Sequence, residues 1–291
     1  MPRMEVEQAR RRSPGPGLGG CWSAEAVAGA AQLACVLEAS ADKPGNITPS
    51  HDFADTSYED MLRSAIALGP EFGRSAERGV GDTVLAAVRA TQRVAGANTN
   101  LGIALLLAPL ARAALLGGTL RERAEEVLGA LTLDDARAAY AAIRTAGAGG
   151  LDEPVEHDVR AEPAIALRDA MATAADRDSV ASEYATGYAL TFDLGLPALA
   201  AALDAGLAPR RATVELYLAL LAAVPDTLIA RKRGRDAAER VSAGAARVLA
   251  RRETIEAFDT SLRVDGNALN PGTTADLVTA VLFVALLEGL L

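Results

Sequence analysis

A lysine, a histidine and four carboxylates fall within nineteen residues, "KPGNITPSHDFADTSYEDM" from Lys43 to Met61. Lys43 and His51 are each one of only two of their kind in the chain. Lys43 precedes Pro-Gly-Asn, a turn sequence in which the amides of Gly45 and Asn46 can face outward beside an ammonium. His51, Asp52, Asp55, Glu59 and Asp60 follow. Capping the next helix needs one acid, at Asp55 or through Thr56, and more are present. Carboxylates such as Asp52, Asp55 and Asp60 suit Mg²⁺, which takes one or two protein oxygens while substrate phosphates supply others.

Three further stretches carry polar groups that capping alone does not use up. In "GANTNLGIALLLAPLA", Asn98, Thr99 and Asn100 stand at a helix N-terminus, where free N–H groups and the dipole favour an anion. In "RDAMATAADRDSVASEY", Asp169 and Asp176 share a helix face, with Asp178 and Glu183 beyond; ordinary capping by Asp176 and Asp178 explains much of it. The last stretch pairs "VPDTLIARKRGRDAAERVS" with "DTSLRVDGNALNPGTTADL". Arg231, Lys232, Arg233 and Arg235 make a basic loop around Gly234, fit for a triphosphate through arginine forks and a lysine point charge. Asn267 and Asn270 precede an apolar helix that Thr273 or Thr274 can cap, with Asp276 in its first turn. Familiar local motifs are missing: no P-loop lysine follows "GVGDT", and there is no G-x-G-x-x-G, H-E-x-x-H or G-x-S-x-G.

The elements that position these residues read as helices throughout. Ser23 is a plausible N-cap for Ser23–Ser40, and Thr132-x-x-Asp135 is a capping-box variant. A helix from Tyr58 should stop at Gly69-Pro70, Pro109 should kink the helix that contains it, and Ser179–Gly206 should break near Gly195–Pro197. The segment from Asp236 to Arg263 reads as one helical stretch. There is no period-2 strand and no internal repeat. The fold expected is all-α, a single-domain multi-helix bundle over residues 22–291, behind a disordered Pro-Gly-rich leader at 1–21.

Composition narrows the function. Half of the 291 residues are apolar and 4% are aromatic, material for closely packed Ala-Leu helices. A net charge of −9 argues against a nucleic-acid partner. Cys21 and Cys35 suffice for neither a disulfide framework nor a metal site, and suggest reduced thiols in the cytoplasm. The longest apolar runs, from Leu101 and at the C-terminus, are too short to span a membrane, and the arginine-rich start has no apolar core of a signal peptide. A homo-oligomer is compatible with this reading.

The segments "KPGN…HDF…DM", "NTNLGI", "DTLIARKRG" and "LNPGTTADL", in this order across most of Ala24 to Leu291, resemble the triphosphoribosyl-dephospho-CoA synthase family, most nearly an archaeal-type branch. Bacterial members prepare the prosthetic-group precursor of citrate lyase and malonate decarboxylase. The resemblance implies an all-α enzyme in which the ribose 2′-hydroxyl of dephospho-CoA attacks C1′ of ATP and adenine leaves. It implies Mg²⁺ on the triphosphate and carboxylates for the oxocarbenium-like sugar and the attacking hydroxyl. On this basis Asp52, Asp60 and Asp169 are expected to be catalytic and Asp52, Asp55 and Asp60 to hold metal. Lys43, Asn46, Arg231, Lys232 and Arg233, with Asn98, Thr99, Asn100, Asn267 and Asn270, are expected to bind phosphates and nucleotide. Where bacterial members carry His-Lys-Gly, this chain has Asn100-Leu101-Gly102, which alters phosphate contacts or the acceptor. A nucleotide N-glycosidase, ribosyl transfer to another cofactor precursor, and a non-catalytic nucleotide sensor or scaffold are the competing readings.

Overall fold

The computed structural model describes residues 20–95, 100–147 and 159–291. The expected leader therefore lies almost entirely outside the described residues, as do Asn98 and Thr99. The described residues form α1 (Ala24–Ser40), α2 (Tyr58–Gly73), α3 (Val80–Gln92), α4 (Leu101–Leu116), α5 (Leu120–Gly129), α6 (Leu133–Ala146) and α7 (Leu167–Ala172). They continue as α8 (Ser179–Thr186), α9 (Leu196–Asp204), α10 (Pro209–Ala223), α11 (Thr227–Arg233), α12 (Arg235–Leu249), α13 (Ile255–Leu262) and α14 (Gly272–Leu287). A π-helical segment, Leu190–Gly195, leads into α9. Among the described residues there is no strand, only an isolated bridge between Thr48 and His51. The all-α expectation holds.

Two helices are apolar on every side and are correspondingly enclosed. In α14 every residue from Leu277 to Ala285 is buried, and in α4 the same is true from Ile103 to Ala111. They touch each other at the centre. α14 also packs on α1, α10 and the π-helical segment, while α3 and α5 flank α4. The Ser23 cap and the Thr132/Asp135 capping box both form as the sequence indicates.

Pro70 behaves differently from expectation. α2 does not stop at Gly69-Pro70 but runs on to Gly73 with Pro70 inside it. A proline in a helix removes one N–H and strands the carbonyl four residues earlier. Here that carbonyl, Ile66, accepts from Gln32 Nε2 at 2.9 Å, a donor supplied by α1. The same repair occurs at Pro109 in α4, where the stranded Leu105 carbonyl accepts from Tyr184 Oη at 2.7 Å. Tyr188 Oη donates to the next carbonyl, Leu106, also at 2.7 Å. Tyr184 is fully enclosed, so Tyr184→Phe leaves a carbonyl unmet in the core. It should lower unfolding free energy by about 1–3 kcal/mol in urea titration; an unchanged midpoint would show that the carbonyl finds another donor.

Two breaks also fall elsewhere. The chain passes Gly195–Pro197 without leaving helical geometry and instead turns by 95° between Thr186 and Leu190. Gly187 and Tyr188 make that turn, both with positive φ. The buried Glu183 carboxylate accepts from Leu190 N, Thr191 N and Thr191 Oγ1, so it caps the start of the π-helical segment. The stretch from Asp236 to Arg263 divides into α12 and α13, with Thr254 capping the second.

Candidate active site

The loop after α1 is built around Lys43, and its ammonium points inward. Lys43 is 1% exposed, and its Nζ lies 3.0 Å from Oε1 of the equally enclosed Glu38. The same nitrogen donates to the backbone carbonyls of Glu38, Ala41 and Ile47. Other elements fasten the loop from outside: Tyr217 Oη on α10 donates to the Pro44 carbonyl at 2.8 Å. Arg263 Nη2 donates to the Asn46 carbonyl at 2.8 Å. Gly45, at φ +73°, fits because a side chain there would collide with Leu262.

The backbone amides expected to face outward are already engaged. Gly45 N donates to Asp259 Oδ1 and Asn46 N to the Lys43 carbonyl. The Asn46 side chain accepts from Ile47 N. As built, this loop holds its own shape with the groups that the sequence suggested for a phosphate. A turn sequence identifies the amides but not which way the tertiary structure turns them.

The acids of the same loop are spread over its exposed side. Asp52 accepts from Tyr58 N, and Asp55 accepts from the neighbouring Thr56 hydroxyl. Asp60 is the N3 residue of a capping box on Ser57 and pairs with Arg63. The bonds from Ser57 hold its carboxyl below the usual range. No group of three His, Cys, Asp or Glu among the described residues is gathered to hold a metal ion, so Asp52, Asp55 and Asp60 are not brought together. Asp169 lies exposed on α7, with no side-chain bond among the described residues.

The polar groups that do converge lie where α1, α4, α8, α11 and α14 meet. Asp226 is buried and caps two helices at once. Its Oδ1 accepts from Leu228 N and Ile229 N of α11, and its Oδ2 from Thr274 N and Oγ1 of α14. Burial pushes its carboxyl up against the pull of those four bonds. Asp178 caps α8 through Oδ1 and receives Arg231 Nη1 on Oδ2 at 2.5 Å. Thr227 ties the group together, bonding Thr273 Oγ1 and receiving Ser179 N.

Asp276 sits among these acids with no hydrogen bond or ion pair to any described residue. Thr273 and Thr274 precede it inside α14, so it lies beyond the first turn and is not the cap-associated acid that the sequence suggested. Burial, and then the charges of Glu38, Asp226 and Asp178, push its carboxyl well above the usual range; Arg231 pulls it back in part. Cys35, one turn before Glu38, has its thiol pushed up by burial and then by Glu38 and Asp276.

Gly102 makes room for this carboxylate. A Cβ at Gly102 would stand 2.0 Å from Asp276 Oδ2, so the first turn of α4 approaches α14 only because residue 102 has no side chain. Asn100, the N-cap residue of α4, does not cap: both polar atoms of its buried amide are unpartnered. Asn270 Oδ1 is likewise buried and unpartnered, just before α14. Leaving such groups unmet costs about 1–3 kcal/mol each, an expense typical of a site prepared for a ligand.

The structure thus joins Arg231 to the acidic centre, with Asn100 two residues before the Gly102 that touches Asp276 and Asn270 just before α14. The basic run expected in a loop is the last turn of α11, where cations also complement the helix dipole. Lys232 is exposed without an ion pair among the described residues, and Arg233 pairs with Asp265. Asn267 offers its carbonyl to Asn270 N. Sequence reasoning did not select Glu38, Asp178, Asp226 or Asp276 as site residues. Asp226 and Asp276 stood inside the very segments singled out, Asp276 as a first-turn acid, whereas Glu38 had no local signal in an Ala-rich helix.

A comparison with curated proteins gives no match. A solved structure from Archaeoglobus fulgidus, described as a candidate triphosphoribosyl-dephospho-CoA synthase, is 30% identical, with a TM-score of 0.64. The match covers 78% of this chain and 99% of that one. Residues 24–291 match the family described as ATP:dephospho-CoA triphosphoribosyl transferase, and the chain belongs to that family.

Proposed function

We propose that this enzyme transfers the 5-triphosphoribosyl group of ATP to a ribose hydroxyl of dephospho-CoA, with Asp276 as the proton acceptor. The observation that carries the assignment is that its carboxylate has no partner among the described residues. Glu38 is committed to Lys43, Asp226 to two helix starts, and Asp178 to α8 and Arg231. Among the described residues Asp276 is the one of these four acids with no hydrogen-bond or ion-pair partner, in a setting that raises its proton affinity.

In the reaction the acceptor oxygen bonds to C1′ as the C1′–N9 bond breaks. Adenine leaves with the bonding electrons and gains a proton, balancing the hydroxyl proton taken by Asp276. The surrounding carboxylates stabilise the positive charge that develops on the ribose. Arg231 and Lys232 face the triphosphate, and the amides of Asn100 and Asn270 supply hydrogen bonds to the nucleotides. Magnesium enters as part of the MgATP substrate, an ion that phosphates and water can hold with one or two carboxylates. Among the described residues no helix is long and apolar enough to cross a membrane. We place the enzyme in the cytoplasm, where ATP is supplied and thiols such as Cys21 and Cys35 stay reduced.

The test is adenine release from MgATP with and without dephospho-CoA, both products followed by mass spectrometry. Release that depends on dephospho-CoA, with a triphosphoribosyl mass gain on it, is expected. Acceptor-independent release would make the chain a nucleotide glycosidase, and ATP binding without release would make it a sensor.

A further inference from the structure

α12 and α13 enclose a groove of about 210 Å³ beside the loop of Lys43. The apolar side chains of Val241, Phe258, Leu262 and Leu269 line it together with Arg240 and Arg247. The volume is below the ~300–1,000 Å³ that encloses a whole small ligand, so the groove suits part of a larger molecule. It reaches the site at two places. Leu262 is the residue against which Gly45 packs, and Leu269 immediately precedes Asn270 with its unpartnered carbonyl. Arg240 is exposed and has no ion pair among the described residues, whereas Arg233, Arg235 and Arg247 are each paired to an acid.

We propose that this groove holds the pantetheine arm of dephospho-CoA, with Arg240 on the pyrophosphate at the arm's head. This rests on dephospho-CoA being the acceptor. The arm is uncharged and largely methylene and methyl, which matches the apolar lining. A triphosphate would need several free cations here; Arg247 is held by Glu253, and Arg240, unpaired among the described residues, suits the shorter bridge. The groove's contact with Leu262 and Leu269 then leads the acceptor ribose past Asn270 toward Asp276.

The decisive measurement is equilibrium binding, by calorimetry, of dephospho-CoA and of ADP, the same nucleotide without the arm. The wild-type protein is expected to bind dephospho-CoA at least ~10-fold more tightly, the equivalent of about 1.4 kcal/mol. Leu269→Trp, which fills the groove, should erase that margin while ADP binding is unchanged. Arg240→Glu, an exposed change with little risk to folding, should weaken both nucleotides without erasing the margin. Equal wild-type affinities for the two ligands would overturn the proposal, as would a margin that survives in a folded Leu269→Trp protein. Turnover is a separate readout. A protein that binds dephospho-CoA through its arm but transfers nothing to it would sink the functional reading and leave the groove assignment standing.

Discussion

Asp276→Asn should reduce dephospho-CoA-dependent adenine release by about 10²–10⁴-fold, the usual contribution of a positioned general base. It should do so while ATP still binds, because none of the cationic groups is altered. Stability should move the other way. A carboxyl whose folded pKa is raised prefers to be protonated in the folded state, so its ionisation opposes folding. That cost is absent below the unfolded pKa, grows as pH rises through the window up to the raised folded value, and is fully present above it. The neutral amide carries no such cost, so the variant should be at least as stable as the wild type near neutrality and lose part of the pH dependence of unfolding.

Activity has its own pH signature. The base must be ionised, so wild-type kcat/KM should rise with pH along an acid limb lying above the ordinary aspartate value of about 3.9. Gly102→Ala is the geometric counterpart. Its new methyl would fall 2.0 Å from Asp276 Oδ2, so the carboxylate must swing away from the place where it receives the proton. Activity should fall sharply with the acid still present. An Asp276→Asn enzyme that keeps more than about a tenth of its activity would move the base to another residue.

The helices were legible from the chain because their signals are local. Ser23, Thr132 and Asp135 cap as their spacing indicates, and the apolar runs of α4 and α14 mark the central pair. Where the reading failed, a distant residue had changed the local rule. Pro70 ends nothing because Gln32 on another helix satisfies the carbonyl that it strands.

The site shows the same division. Four separated segments carried the family resemblance, and of the residues they offered Arg231 reaches the acidic centre, while Asn100 and Asn270 stand buried and unpartnered at the starts of α4 and α14. Which carboxylate has free lone pairs depends on partners that spacing does not reveal. Asp60 looked available and is held by Ser57 and Arg63; Asp276 looked like a helix-start acid and is held by nothing among the described residues. Burial reverses the apparent role of Lys43 in the same way. A lysine before Pro-Gly-Asn reads as a surface cation until the fold encloses it.

That reversal makes Lys43→Met the second large effect. Removing one member of a buried ion pair leaves the other charge uncompensated, a loss of about 3–5 kcal/mol. Here the ammonium also joins three backbone carbonyls, so the loop from Ala41 to Ile47 loses its internal fastening. Burial already pushes the Glu38 carboxyl up, and the Lys43 charge is what opposes it. Without the lysine, Glu38 prefers the protonated form more strongly. The defect should therefore be smallest at low pH, where Glu38 is neutral in both states, and deepen as pH rises past the ordinary carboxylate range. Urea unfolding at several pH values checks this, and Lys43→Met/Glu38→Gln should recover much of the loss because no orphaned charge remains. If Lys43→Met instead costs less than about 1 kcal/mol while KM for ATP rises steeply, the ammonium leaves its pocket to meet the triphosphate, as the sequence alone suggests. The two accounts assign the same lysine opposite balances of stability and substrate binding, so one pair of measurements decides between them.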